Sequence, residues 1–307
     1  MARFGLGLAA IGRPAYITLG RDRDLGADRS VATLRRRAHA LLDAARAEGI
    51  DWIDAARSYG RAEEFLAQWL RARDVAPGAL TISSKWGYAY VGGWRMDADV
   101  HEARRLTVDQ LRRQLAETRA LLGDHLSLYQ IHSATIDSGV LDDAAVLDEL
   151  AALRAAGVQV GLSVTGPRQG EAIDRAVELG RFDAVQATWN LLERSAEPAL
   201  RRARAAGLRV IVKEGVANGR LAADAAPAPL RAVARELDTT PDAVALAAIL
   251  ARPWADVVLS GAVSPTMLRA NLAARALDWS EALEARLAPL AEPPEAYWAH
   301  RADLAWS

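Results

Sequence analysis

Three features of this sequence predict an α/β fold closed as a (β/α)8 barrel. There are eight short β-rich runs, helical segments between them, and no break in composition across 307 residues. The runs are Phe4–Leu8, Trp52–Ala55, Leu80–Lys85, Leu126–His132, Val158–Ser163, Ala184–Ala187, Arg209–Lys213 and Asp256–Leu259. Helical patterns fill Ala32–Glu48, Glu63–Arg73, Val108–Leu122, Ala144–Ala156, Gln169–Leu179 and Pro198–Ala206, where apolar residues recur at i, i+3, i+4 and i+7, as at Leu111, Leu115, Thr118 and Leu122. Gly49, Gly123, Gly157, Gly180 and Gly207 stand where left-handed C-caps would end helices before the next strand. Such alternation implies parallel strands joined by crossover helices. Pro229–Arg252 reads as two helices split near Thr239-Thr240-Pro241, and Ser264-Pro265 as an N-cap and first position of another. Residues 1–307 are expected to form one barrel domain with an extra C-terminal helix. The Pro- and aromatic-rich tail from about 292 is expected to be an ordered loop over the barrel mouth.

Composition narrows the function. A net charge of −1 offers no general field for nucleic acid or an anionic membrane. With no cysteine, disulfides, thiolate zinc sites, iron–sulfur clusters and a cysteine nucleophile are excluded. The histidines show no ligand spacing, so no metal site is expected. The longest uncharged stretch, Ala155–Pro167, is well short of the roughly 20 residues that span a bilayer. The apolar run Phe4–Gly12 reads as a glycine-rich first strand rather than a signal peptide, and a cytoplasmic location is expected.

Catalytic groups of such barrels project from the C-terminal ends of the strands. Asp54 ends the second run and Tyr59 follows five residues later; Lys85 ends the third and His132 the fourth. Ser163, Gln186 and Lys213 close the next three. Of 38 basic residues only Lys85 and Lys213 are lysine, and both fall on this rim. A strand-end aspartate alone is often a turn former and a lone histidine often a core residue. Four such groups on successive strands instead suit proton delivery to an oxygen gaining negative charge. An ammonium beside a phenol is expected to lower the phenol pKa from about 10. A carboxylate would hold that lysine charged, and the histidine would orient a carbonyl oxygen.

These residues resemble an aldo-keto reductase. Asp54-Ala55-Ala56-Arg57-Ser58-Tyr59-Gly60 is similar to that family's Asp-Thr-Ala-x-x-Tyr-Gly element, and Ser84-Lys85 and Gln130-Ile131-His132 to its lysine and histidine segments. Val185-Gln186, Ala217-Asn218-Gly219-Arg220-Leu221 and Val258-Leu259-Ser260-Gly261-Ala262, with Asn271, resemble its cofactor-binding segments. The resemblance implies a nicotinamide cofactor, usually NADP(H), with NAD(H) possible. It also implies Tyr59 as proton donor, Asp54 and Lys85 tuning it, and His132 positioning the carbonyl. Ser163 and Gln186 would bind the carboxamide. The stretch from Gly215 through Gly219 to Leu221 would follow the pyrophosphate, with Gly261 and Asn271 near the adenosine end. Lys213 falls near where the family often stacks an aromatic on the nicotinamide, with Trp189 as a substitute, and Val164 where an asparagine is common. Gly261 and Met267 occupy places where NADPH-preferring members carry basic residues.

The loop after Lys85 carries Trp86, Tyr88, Tyr90 and Trp94, and the tail Tyr297, Trp298 and Trp306. Of these, Trp86 and Trp298 are expected to line the substrate site, since aromatic-walled clefts favour flat or apolar carbonyl compounds or the face of a sugar. Arg57, Arg95, Arg168 and Arg220 are further candidates near the mouth. The expected function is NADPH-dependent reduction of an aldehyde or ketone. The alternatives are an NAD-linked sugar or alcohol dehydrogenase and a cofactor-binding regulatory subunit. A small-molecule substrate, and neither nucleic acid nor membrane, is the expected partner; the oligomeric state is left open.

Overall fold

The computed structural model describes residues 2–307, apart from the side chains of Arg21, Asp22 and Asp224. The barrel strands are β1 (Arg3–Gly7), β2 (Trp52–Asp54), β3 (Thr81–Trp86), β6 (Leu126–Ala134), β7 (Gln159–Val164), β8 (Ala184–Thr188), β9 (Arg209–Lys213) and β10 (Val257–Ser260). Outside the barrel, β4 (Tyr88–Tyr90) and β5 (Glu102–Arg104) form an antiparallel ribbon that pairs Tyr88 with Arg104 and Tyr90 with Glu102. The eight barrel strands close in the order β1-β10-β9-β8-β7-β6-β3-β2, with parallel neighbours throughout. The expected (β/α)8 barrel is therefore the observed one.

Helices return the chain between strands at Val31–Ala47, Ala62–Ala72, Val108–Leu122, Ala144–Ala155, Gln169–Leu179 and Glu197–Ala205, within one residue of their sequence-derived bounds. Helices Ala228–Glu236 and Pro241–Leu250 flank the split at Thr239-Thr240, and the Thr240 side chain caps the second. The five helix-ending glycines all adopt positive φ. Among the described residues no helix is long and apolar enough to cross a membrane.

Two elements depart from the sequence reading. The β4/β5 ribbon has no signature in the sequence, because three-residue strands with half-exposed faces carry no usable period. The tail is a helix, Pro294–Ala302, and not a loop until its last residues. Prolines at the N-cap and first helical position fit a helix start, where no N–H is needed. Tyr297 and Trp298 on this helix are buried against an apolar cluster containing Leu191, Leu221 and Leu230.

The barrel interior carries its own small core of Trp52, Leu128, Ala184, Ile211, Val257 and Leu259. Gly5 makes room for the indole, since a Cβ there would meet Leu259, Trp52 and Val257 at 2.9–3.1 Å. Arg3 and Arg209, at the starts of their strands, lay their guanidinium groups 5.5 and 5.4 Å from the Trp52 ring. Trp52 thus plugs the N-terminal end of the barrel and leaves the opposite end for chemistry. Replacing it should empty the plug: Trp52→Ala is expected to lower stability by about 3–5 kcal/mol in urea unfolding.

Candidate active site

At the C-terminal end of the barrel a cavity of about 360 Å³ is bordered by Asp54, Tyr59, His132 and Gln186, and it continues past Gly215 to Gly261 and Asn271. Asp54 is the last residue of β2, and the next turns carry Tyr59 over the mouth. That placement depends on close backbone packing with the loop after β1. Arg61 N–H donates to Gly12 O at 2.7 Å, and a Cβ on Gly12 would come within 2.4 Å of Tyr59 O. Gly60, at φ +60°, completes the turn.

Lys85, on β3, is wholly buried, and its ammonium donates to Asp54 Oδ2 at 2.5 Å, Ala55 O at 3.0 Å and Tyr59 Oη at 3.2 Å. All three N–H donors of the ammonium are therefore used. Asp54 also accepts from Ser83 Oγ at 2.8 Å and Gln186 Nε2 at 3.0 Å, so its carboxylate is fully engaged. The phenol oxygen accepts from lysine and keeps its own proton for an acceptor in the cavity.

His132 reaches the cavity because β6 is irregular. Pairing with β7 skips between Ile131 and Ala134, and Ser133 takes φ +54°. Such bulges re-aim side chains beside functional sites. His132 Nδ1 lies 3.3 Å from Ser58 Oγ, and its ring meets Tyr59 edge-on with centroids 5.5 Å apart. With Ser58 as donor, Nε2 carries the proton and can donate to a carbonyl oxygen.

Electrostatics correct one expectation. Burial raises the Tyr59 phenol well above its ordinary pKa, Asp54 adds to the rise, and Arg13 opposes it. Burial is the largest of these effects, so the net shift is upward rather than downward and the hydroxyl stays protonated at neutral pH. Burial likewise lowers Lys85, against the pull of Asp54. It lowers His132 well below its usual value too, with Lys85, Arg13, Lys213 and Arg301 all contributing, so the imidazole is neutral.

A second charged group lines the far wall. Glu214, following β9 at φ +56°, makes a two-pronged ion pair with Arg301 of the tail helix, and Thr188 Oγ1 donates to it at 3.0 Å. Lys213 Nζ donates to Thr188 Oγ1 at 2.8 Å and lies 3.8 Å from Glu214 Oε1. Burial brings Lys213 down to about 8, with Glu214 opposing. Burial alone would raise Glu214, but Arg301 and Lys213 hold it at about 2.

Of the residues singled out in the sequence, Asp54, Tyr59, His132, Gln186, Lys213, Gly215, Gly261 and Asn271 border the cavity, and Lys85 lies directly beneath. Asn271 Nδ2 donates to Ser260 Oγ at 2.9 Å, and a Cβ on Gly261 would enter open space. Other candidates lie elsewhere. Ser163 Oγ is held by Ser133 N–H at 2.8 Å behind the wall. Gly219 packs under Leu19, and Leu221 is in the apolar cluster beneath the tail. Trp86 is fully buried in the core, since it follows Lys85 on β3 and so faces the opposite side of the strand. Trp298 packs beside Lys213 and Arg301 without bordering the cavity. Trp189 is buried edge-on against Trp254 and cannot offer a stacking face.

Arg57, Arg95, Arg168 and Arg220 are tied to Glu63, Asp97, Glu171 and Glu292 respectively, away from the cavity. Besides Lys213, the cations bordering the cavity are Arg13 and Arg301, which the sequence does not mark out. Their partners Glu102 and Glu214 lie 89 and 87 residues away, and no local pattern links such pairs.

The sequence profile of the Aldo/keto reductase family matches residues 25–288. No curated protein sequence matches the chain. Among solved structures, an aldo-keto reductase of Pseudomonas aeruginosa is 27% identical, covering 90% of this chain and 90% of its own, with a TM-score of 0.65. An aldo-keto reductase of Bacillus halodurans in its holo form is 21% identical, covering 95% of this chain and 92% of its own, with a TM-score of 0.72.

The Glu214–Arg301 pair makes a pH prediction. A carboxyl depressed from 4.5 to about 2 contributes stability that is complete above pH 4.5 and is lost as pH falls toward 2. At about 1.36 kcal/mol per unit this is roughly 3 kcal/mol. In urea unfolding at a series of pH values, Glu214→Gln should flatten that acid limb and be less stable at neutral pH, where it strands Arg301.

Proposed function

We propose that this chain, which belongs to the aldo/keto reductase family and is thereby a nicotinamide-dependent oxidoreductase, reduces an aldehyde or ketone to an alcohol with Tyr59 as proton donor. The observation that carries the reading is the buried ammonium of Lys85, which joins Asp54 to the phenol oxygen at the floor of the cavity. Residues 1–307 are read as one working unit, because Arg301, Ala302 and Trp306 of the tail border the same cavity as Tyr59.

The cavity fits the cofactor in its outline. It runs from Tyr59 to Asn271, and Gly261 leaves the wall open beside Asn271. Gln186, Lys213, Gly215, Gly261 and Asn271 would hold the nucleotide. When bound, a reduced nicotinamide supplies the hydride. The protein's part is to place and protonate the carbonyl oxygen. His132, neutral and donating from Nε2, orients that oxygen toward Tyr59 Oη. As negative charge builds there, the phenol gives up its proton, and Lys85 N–H steadies the phenolate that remains. Asp54 keeps the ammonium charged and aimed in a site that disfavours charge. Tyr16, Tyr88 and Trp306 provide apolar walls suited to a flat or hydrophobic carbonyl compound.

A phenol held protonated at neutral pH favours the reducing direction, since alcohol oxidation needs the phenolate as base. One observation favours NAD(H) over NADP(H). Among the described residues, the cavity wall at Ser260, Gly261 and Asn271 has no basic side chain, and Arg269 pairs with Glu48 at 3.3 Å. Comparing kcat/KM for NADPH and NADH decides this, and a strong preference for NADH would favour an NAD-linked enzyme.

With an aldehyde and ketone panel, Tyr59→Phe should lose about 100-fold or more in kcat, with nicotinamide affinity changed by no more than about twofold. Lys85→Arg should also lose most activity, because a rigid fork cannot replace a compact ammonium with three donors in use. Full turnover in Tyr59→Phe would refute the assignment.

A further inference from the structure

Arg13, in the loop after β1, is 1% exposed and borders the cavity next to Tyr59. Its guanidinium lies 5.1 Å from the centre of the Tyr59 ring, 4.8 Å from that of Tyr16 and 4.9 Å from that of Trp306. It donates to Ala9 O at 3.3 Å, to Ser58 O at 3.1 Å and to Glu102 Oε1 at 2.7 Å. The first loop, the Tyr59 turn, β5 and the tail therefore converge on one cation. Nothing in the role given to Lys85 accounts for a second positive charge against the same phenol.

The two cations differ in kind. Lys85 reaches the phenol oxygen, but burial weakens its hold on its proton. A guanidinium stays charged at any pH the protein survives. It faces the ring, where attraction to a cation grows as the ring system gains negative charge. The other groups around the phenol are Asp54 on β2, Lys85 on β3, Glu102 on β5, His132 on β6, Glu214 after β9 and Tyr16 beside Arg13. Asp54, Glu102 and Glu214 oppose ionisation of the phenol, and Arg13 favours it.

We propose that Arg13 is a positioning residue for the proton transfer, acting through Tyr59: its fixed charge on the ring face stabilises the phenolate that forms as the substrate is protonated. The proposal rests on the reading of Tyr59 as proton donor. In that step the Tyr59 O–H bond breaks and its electron pair stays on the phenol oxygen. The proton joins the carbonyl oxygen, whose carbon has taken hydride from the reduced nicotinamide.

The test compares Arg13→Met and Arg13→Lys with the parent enzyme. The pH profile of kcat is one readout, and the tyrosinate absorbance titration of the cofactor-free protein, with Tyr59→Phe as blank, is the other. Arg13→Met should lower kcat about tenfold or more while KM stays within about threefold. It should also move both the alkaline limb of kcat and the tyrosinate midpoint up by about one pH unit. Arg13→Lys, which keeps a cation, should fall between. If thermal melting shows that Arg13→Met is unfolded, Glu102→Gln takes its place; it removes a carboxylate that opposes ionisation, so both midpoints should move down. Unmoved midpoints in a folded Arg13→Met, or a rise in Glu102→Gln, would overturn the proposal. Turnover surviving in Tyr59→Phe would refute the donor reading instead, and the tyrosinate titration would still judge Arg13.

Discussion

The site depends on one buried constraint: an ammonium with no solvent contact must find three acceptors, and in this barrel it has three. Removing either charge from such a pair leaves the other buried and unmatched, at a cost of about 3–5 kcal/mol. Asp54 is therefore as much a structural residue as a chemical one. It also collects Ser83 and Gln186, tying β2, β3 and β8 together at the barrel rim. The phenol is the one partner of Lys85 with a proton left to give, and everything around it either holds it in place or sets its acidity.

Most of the architecture was legible because hydrophobic period and glycine caps repeat with each barrel unit. Val108–Leu122 and Gln169–Leu179 were read with their observed bounds. The ribbon of β4 and β5 and the tail helix were not, since the first is too short for a period and the second starts at prolines that also mark loops. At the site, Asp54, Lys85 and His132 are legible at the ends of three successive strands, and Tyr59 by following Asp54 at five residues. Among the aromatics, Trp86 and Trp298 do not border the cavity, whereas Tyr88 and Trp306 do. Trp86 follows Lys85 on β3, so with the lysine facing the site the period-two alternation of a strand turns the indole to the opposite face, into the core.

The direction of the phenol's shift was also beyond the sequence. Proximity of lysine and tyrosine is readable from strand ends, but the depth of burial is not, and here burial is the larger effect. Positive φ at Ser133 and Glu214 belongs with this picture. One turns His132 into the cavity, and the other presents a carboxylate to Arg301. Strain of this kind persists where surrounding contacts fix the backbone. Lys213, set between Thr188 and Glu214, gives this wall a polar character at the place where the family often has an aromatic.

The central claim is that Tyr59 works as a neutral phenol kept protonated by burial, in a site whose neighbouring cations are already committed to partners. Ultraviolet difference titration of the intact protein against Tyr59→Phe reads this directly. The account predicts that the Tyr59 signal appears only above the ordinary phenol value of about 10. A tyrosinate signal already present near neutral pH would contradict it.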